Sequence, residues 1–407
     1  MRNAMAQPTI EPADFLGFNP LHPSFRQDPY PEFGRLREAG PLVRTASGTW
    51  VTAHHQVAGA VLRSPAFGHG DGPSVQRRSD PNVPPSFLVL DPPEHTRLRG
   101  LVSRAFTARV VERLRPRVAD VVTELLDDAL ETSRTKGSVN LIEALAYPLP
   151  VIVICELLGV PPEDQERFRT WSEALARGLD PDFMMPEEIA AKRTEARGHF
   201  VEYFLELIER RRREPGDDLI SGLLAIEAEG DRLSVADLLA TLILLLVAGH
   251  ETTVNLIGNG ALALARHPDQ LAAVRADPSL APSLVEEVLR YDPPVQLTGR
   301  QALTDTELAG HAVRRGELMF LLIGGANRDP AVFDDPDRFD VTRAPGRHYA
   351  FGLGVHFCLG APLARLEGEL ALGELVRRSA TIELAAPAPT YKDNLILRGL
   401  AELPLAL

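Results

Sequence analysis

Two short stretches carry residue types that could do chemistry. The first is FGLGVHFCLG, from Phe351 to Gly360. Gly352 and Gly354 permit tight or left-handed backbone just before Cys358. An amphipathic helical pattern opens directly after it, and a helix N-terminus offers a thiol N–H donors and positive dipole, which lowers its pKa. A thiolate there could be a nucleophile, a redox thiol or a metal ligand. No signature of a histidine general base with an oxyanion hole accompanies it. The other cysteine, Cys155, lies in PVIVICELLGV, which reads as core. The glycine pair is no dinucleotide fingerprint, because the third glycine is missing.

The second stretch is AGHETT, Ala248 to Thr253, set in a run that is otherwise apolar from Leu238. By itself it reads as a polar kink whose hydroxyls bond back to carbonyls. Gly249 and Thr252 together suggest local widening of the helix.

These stretches need elements to hold them. Ser234 and Asp237 form a capping-box pattern, and His267-Pro268 closes the far end. The helix between, about 234–265, is ~48 Å long at about 1.5 Å per residue. Apolar on nearly every side, it must be packed on both flanks. Helical periodicity dominates from about Glu94 to Leu264, broken near Gly137, Pro161, Pro181 to Pro186 and Pro215. Before it come a Pro-rich lead-in, a short helix in PYPEFGRLREAG, a hairpin around Gly48 and an irregular segment from Ser64 to Pro93. Such a long structureless segment is more often functional than not. Two short helices follow Pro268, then alternating strands, a Pro/Asp/Arg-rich meander from Arg328 to Ala350 and the helix after Cys358. The expectation is one domain over 1–407, mainly α. The α-rich parts fall at about 92–290 and 359–378, with a smaller β-rich lobe from about 41–54, 295–322 and 380–407.

The 407 residues carry 43 Lys and Arg against 56 Asp and Glu, for a formal charge of −13. That balance argues against nucleic acid as a partner. The Arg210–Arg213 run reads as a solvated helix end. The N-terminus lacks the apolar segment of a signal peptide, and the longest apolar run is about eleven residues, short of a bilayer span. Two cysteines without a CxxC exclude a disulfide scaffold or cysteine-rich zinc site. A soluble, cytoplasmic protein with no membrane partner is expected.

The string from Phe351 to Gly360 resembles the FGxGxHxCxG pattern of cytochrome P450 haem-thiolate monooxygenases, in the form found in soluble bacterial members. AGHETT is similar to that family's distal pattern, and the resemblance covers nearly the whole chain. It implies the P450 fold, with haem b (iron protoporphyrin IX) held between the long helix and the helix after Cys358. It makes Cys358 the axial iron ligand, whose thiolate favours O–O cleavage, with Phe351, Gly352 and Gly360 around it. His95, Arg99, Arg300 and His356 become partners of the haem propionates. Ala248 and Gly249 leave room for dioxygen, Thr252 orients the bound oxygen, and Glu251 helps bring protons in. Glu287 and Arg290 of EEVLR, with Arg338 of FDDPDRFD, become a structural charge cluster.

The family's substrate-contact regions fall on Phe87, Leu88 and Val89, on Leu244, Val247 and Ala248, on Val295, Gln296, Leu297 and Thr298, and on Ile396 and Leu397. As a set they describe an apolar cavity for a medium-to-large hydrophobic molecule, a polyketide, macrolide or terpenoid scaffold among the candidates. Electrons would come from a ferredoxin and a ferredoxin reductase, docking on Arg104, Arg109, Arg113 and Arg365. The alternatives are a peroxide-driven oxygenase, one that epoxidises or couples, and a haem-binding sensor or carrier. The acid–alcohol pair argues against a carrier.

Overall fold

The central helix, Val235–Arg266, runs unbroken for 32 residues. The computed structural model describes residues 15–70, 84–177, 179–180, 186–228, 233–386 and 388–407. The readings of the extreme N-terminus, of 71–83 in the irregular segment and of the break at 181–185 lie outside the described residues. The capping box closes as expected. Ser234 Oγ accepts from the Asp237 N–H at 3.1 Å, and the Asp237 carboxylate accepts from the Ser234 N–H at 3.3 Å. Two otherwise orphaned donors are thereby satisfied.

Helices Pro148–Leu158, Gln165–Arg177, Ala281–Tyr291 and Ala361–Arg378 pack around the central helix. That encirclement explains why the helix is apolar over most of its circumference. By length and composition the helix could cross a membrane, but here protein fills its flanks. Close approach depends on small residues: a Cβ on Gly260 would stand 2.6 Å from Leu372 Cδ1.

The β-rich lobe is a five-stranded sheet in the order Val43–Arg44, Trp50–Thr52, Leu318–Leu322, Leu297–Ala302 and Phe67–Gly68. Trp50–Thr52 runs parallel to Leu318–Leu322 and the other neighbours are antiparallel. A helix at His55–Arg63, which the sequence reading passed over, follows the first hairpin. A second sheet joins Val139–Asn140, Pro404–Ala406 and Glu383–Leu384, with Pro404–Ala406 in the middle.

The meander is fastened by a buried charge cluster. Glu287 accepts from Arg290 Nε and Nη2, both at 2.8 Å, from the Asp340 N–H at 2.9 Å and from Arg343 Nε at 3.3 Å. The expected third member, Arg338, is exposed and lends only its carbonyl, to Arg290 and Arg343, both at 3.0 Å. Its neighbour Phe339 takes the inward position, so the side chain at 338 is turned out. Arg343 returns beneath the meander and completes the cluster instead. Removing one partner of such a buried pair typically costs about 3–5 kcal/mol.

Glu367, on Ala361–Arg378, is buried beside the central helix with Oε2 lacking a partner. Burial pushes its carboxyl up to about 8, against its hydrogen bond with Thr253. A raised carboxyl favours the fold as the neutral acid. Its contribution is complete below the ordinary value of 4.5 and lost as pH rises toward about 8. Glu367→Gln is therefore expected to flatten the decline of urea-unfolding free energy across that window. An unchanged slope would show that the carboxyl ionises as freely in the fold as outside it.

Candidate active site

Cys358 is presented by a loop that closes on itself. Its N–H donates to the Phe351 carbonyl at 2.9 Å, and the Phe357 N–H to Gly354 O at 3.1 Å. Gly352 and Gly354 have φ of +68° and +71°. At Gly354 space is equally restricted, because a Cβ would lie 2.5 Å from the Leu62 carbonyl oxygen. The loop thus rests on the helix His55–Arg63.

The backbone N–H groups of Gly360 and Ala361 reach the Cys358 sulfur, and Arg99 and Arg365 add positive charge. The sequence reading expected these groups to lower the thiol's pKa. Instead burial outweighs them and pushes it above the ordinary value. The loop therefore has the donors of a thiolate site. Among the described residues no three His, Cys, Asp or Glu gather as a bare-ion site. A lone cysteine suits a metal that brings its other donors with it.

On the flank of this loop the chain assembles positive and neutral nitrogen groups with little acid to match. His95 is buried with both ring nitrogens unpartnered, 4.2 Å centroid to centroid from His356. His356 is pulled down to about 2 by burial and then by Arg300, His69 and His95. Arg300 is buried, donates through Nη1 to Thr298 Oγ1 and Gly299 O, and is drawn down to about 10 by its burial. Arg99 donates to the Phe357 carbonyl. An unpartnered buried imidazole beside two arginines is the complement of anionic carboxylates, so the two haem propionates fit here.

His69 joins this group, its ring 4.9 Å from that of His356. No motif announced it. The pairing of Phe67–Gly68 with Leu297–Ala302 carries it beside Arg300, and Asp91 fixes its backbone by accepting from the His69 N–H at 2.9 Å.

On the central helix Ala248 is exposed and Leu244 and Thr252 partly so, although most of the helix is buried. The spacing i, i+4, i+8 puts them on one face. Thr252 Oγ1 donates to the Ala248 carbonyl at 2.8 Å, and Thr253 Oγ1 to Gly249 O at 3.2 Å. The helix stays α through this turn, so the expected widening is absent. A Cβ on Gly249 would stand 3.3 Å from Ile154 Cδ1, so its missing side chain gives room to the neighbouring helix. Glu251, next in sequence to Thr252, projects elsewhere and is buried. It accepts from Lys392 Nζ at 2.7 Å, with His250 Nε2 at 3.8 Å.

The expected pocket residues divide. Leu297 and Ile396 line a cleft with about 440 Å³ of open space, together with His69, Gly299, Arg300 and Phe320. Phe87 and Val247 are buried in the main core, Val89 is buried as well, and Leu397 pairs with Val295 as a β-bridge. Leu88 is exposed between two buried neighbours. Gln296 lines a different cleft, with Tyr391 and Arg398. Its amide donates to the Pro293 carbonyl at 2.8 Å, and a Cβ on Gly324 would fall 2.3 Å from its Oε1.

The fold and the cysteine loop define a class, and comparison with known proteins gives the same one. A family profile described as Cytochrome P450 matches residues 37–398, and the chain belongs to that family. It is 42% identical to Cytochrome P450 107B1 of Saccharopolyspora erythraea, over 98% of each chain. It is 40% identical to the 6-deoxyerythronolide B hydroxylase of the same organism, over 94% of this chain and 97% of that one. The ligand-free crystal structure of CYP164A2 from Mycobacterium smegmatis superposes with a TM-score of 0.85 at 45% identity, covering 95% of this chain and 98% of that one. The protein is a cytochrome P450 monooxygenase that uses haem, redox partners and a hydrophobic substrate.

Gly354→Ala is expected to lower haem content per protein and the melting temperature. Left-handed backbone alone costs an L-residue roughly 1–2 kcal/mol, and the Leu62 carbonyl blocks relaxation. At Gly352 the nearest atom to a Cβ, His356 O, is 3.7 Å away. Gly352→Ala should therefore be the milder change; equal effects would show that space at 354 does not matter.

Proposed function

We propose that this monooxygenase inserts one oxygen atom of dioxygen into a C–H bond of a medium-to-large natural product, a polyketide or macrolide scaffold. The supporting observation is an accessible Leu244–Ala248–Thr252 face on the central helix, whose neighbour Glu251 is a buried acid, together with an apolar wall of Leu297 and Ile396 along a cleft. A relative named as a 6-deoxyerythronolide B hydroxylase supports the substrate class. The cofactor we assign is haem b, which when bound supplies the binding and reductive cleavage of dioxygen.

In this reading Cys358 would hold the haem iron through its sulfur. The N–H groups of Gly360 and Ala361 and the charges of Arg99 and Arg365 steady its thiolate. His95, Arg99, Arg300 and His356, with His69 beside them, hold the propionates. Phe351 and Gly352 shape the loop around the sulfur. Thr252 is the hydroxyl that holds a proton at the reacting oxygen, and Glu251 replenishes it. The apolar wall orients the substrate and excludes water.

Electrons are taken to come from a ferredoxin and its reductase. Val355 and Phe357 stand exposed beside the cysteine, 54% and 39% accessible. We assign Arg104, Arg109, Arg113 and Arg365 as the basic rim that would meet an acidic partner around this apolar centre.

Cys358→Ser should abolish the thiolate-type spectrum of the reduced carbon monoxide complex; an unchanged spectrum would mean the ligand is another residue. Thr252→Ala should still consume electrons but divert them to peroxide, with product falling about 100-fold. Full coupling in that variant would overturn the role given to the hydroxyl. Macrolides should shift the spin state on binding where small aromatics do not.

A further inference from the structure

Two clefts meet at one short piece of chain. Leu395 lines a space of about 290 Å³ between the turn at Phe25–Pro29 and the C-terminal loop Tyr391–Gly399. Ile396, the next residue, lines the one of about 440 Å³ that holds Leu297, Phe320 and Arg300. The backbone at 395–396 is therefore the partition between the two. One side of it is secured by a short ladder. Val295 and Leu397 form an isolated bridge, the Gln296 N–H donates to the Ile396 carbonyl at 2.9 Å, and the Arg398 N–H donates to the Pro294 carbonyl at 2.7 Å. So short a ladder specifies register weakly, and a slip of one residue would bring Leu395 to the cleft of Ile396.

The other side is secured by the end of the helix Gln165–Arg177 and the turn that follows it. Asp180 is 7% exposed, and its carboxyl group faces the backbone of the loop. The Leu395 N–H reaches Oδ1 at 3.1 Å and Oδ2 at 3.0 Å, and the Ile396 N–H reaches Oδ1 at 2.9 Å. Arg177 Nη1 adds a bond to Asn394 Oδ1 at 2.9 Å and another to the Asp393 carbonyl. The ladder uses the Ile396 carbonyl and leaves its N–H unserved; Asp180 supplies the acceptor that a buried N–H requires.

We propose that Asp180 is a positioning residue that determines specificity. Through the Leu395 and Ile396 N–H groups it fixes the register of the partition. It thereby presents the stiff, β-branched Ile396 to the space shared with Leu297 and keeps Leu395 in the other cleft. The proposal rests on the reading of Leu297 and Ile396 as the substrate wall. Asp180 touches neither substrate nor haem in this role; it acts through the loop backbone. Its Oδ1 alone accepts from both N–H groups, so an amide oxygen at the same place can do the same work.

The test uses the haem-loaded enzyme and two probes that bind iron through nitrogen. Imidazole is too small to need the wall, whereas the bulky aromatic groups of econazole need the space the wall bounds. Both are titrated by their spectral shifts, and amide hydrogen exchange at Leu395 and Ile396 is read without any probe. Asp180→Ala is expected to speed that exchange and to weaken econazole, each roughly tenfold, with imidazole binding unchanged. Asp180→Asn should stay near wild type in both. Ile396→Ala should weaken econazole by itself, and lose that effect in the Asp180→Ala background, where the register is no longer held. If Asp180→Ala does not fold, Asp180→Glu replaces it with the same expectations, because it displaces the oxygens by one methylene. Wild-type exchange and econazole affinity in Asp180→Ala, with Ile396→Ala still weakening econazole, would overturn the proposal and leave the wall standing. Faster exchange with unaltered econazole binding would overturn it too, since the clasp would then serve only the fold. An Asp180→Asn variant as impaired as Asp180→Ala would show that the loop needs charge and not the acceptor geometry, and would equally overturn it. If Ile396→Ala leaves econazole binding unchanged, the wall reading itself fails and the role of Asp180 falls with it.

Discussion

The carboxylate of Glu287 has no water to stabilise it, and that need organises one whole side of the molecule. It must receive donors from every direction, and it takes them from its own helix, from the meander backbone and from Arg343. Arg290 in turn spends its remaining N–H groups on the carbonyls of Asn327, Pro336 and Arg338. A segment with almost no regular structure is thus fixed by a few charge-assisted bonds whose alternative is an unpaired buried ion. The cysteine loop begins a few residues later, and its position relative to the central helix follows from that anchoring.

The central helix faces the opposite problem. It must be apolar enough to be surrounded and polar enough to serve a reaction. The conflict is resolved by direction: Leu244, Ala248 and Thr252 lie on one face, and Glu251 turns toward the C-terminal loop. The hydroxyls of Thr252 and Thr253 remain satisfied by carbonyls one turn back, so they burden the fold little.

Local pattern made some features legible and long-range contact hid others. Cys358, its flanking glycines and the helix at Val235–Arg266 were readable because each is defined by neighbours in sequence. The substitution of Arg343 for Arg338 was not, because which arginine turns inward depends on Phe339 taking the core position beside it. His69 and Lys392 carry no motif at all; a strand pairing delivers the first and a loop more than a hundred residues from Glu251 delivers the second. Gln296 and Leu88 sit in the expected segments, but backbone direction turns one into a carbonyl clasp and leaves the other exposed. The raised thiol pKa was hidden for another reason: a helix terminus is visible in sequence, whereas desolvation depends on everything packed around it.

The strand Pro404–Ala406 lies between Val139–Asn140 and Glu383–Leu384, and the Leu403 N–H also reaches the Asn140 side chain. The middle strand of this sheet is therefore synthesised after both of its neighbours. Until it emerges, neither neighbour has its partner, and the loop carrying Lys392 has nothing to hold its far end. A nascent chain stalled shortly before that point would carry Cys358, its helix and the central helix, yet lack the wall that encloses Glu251.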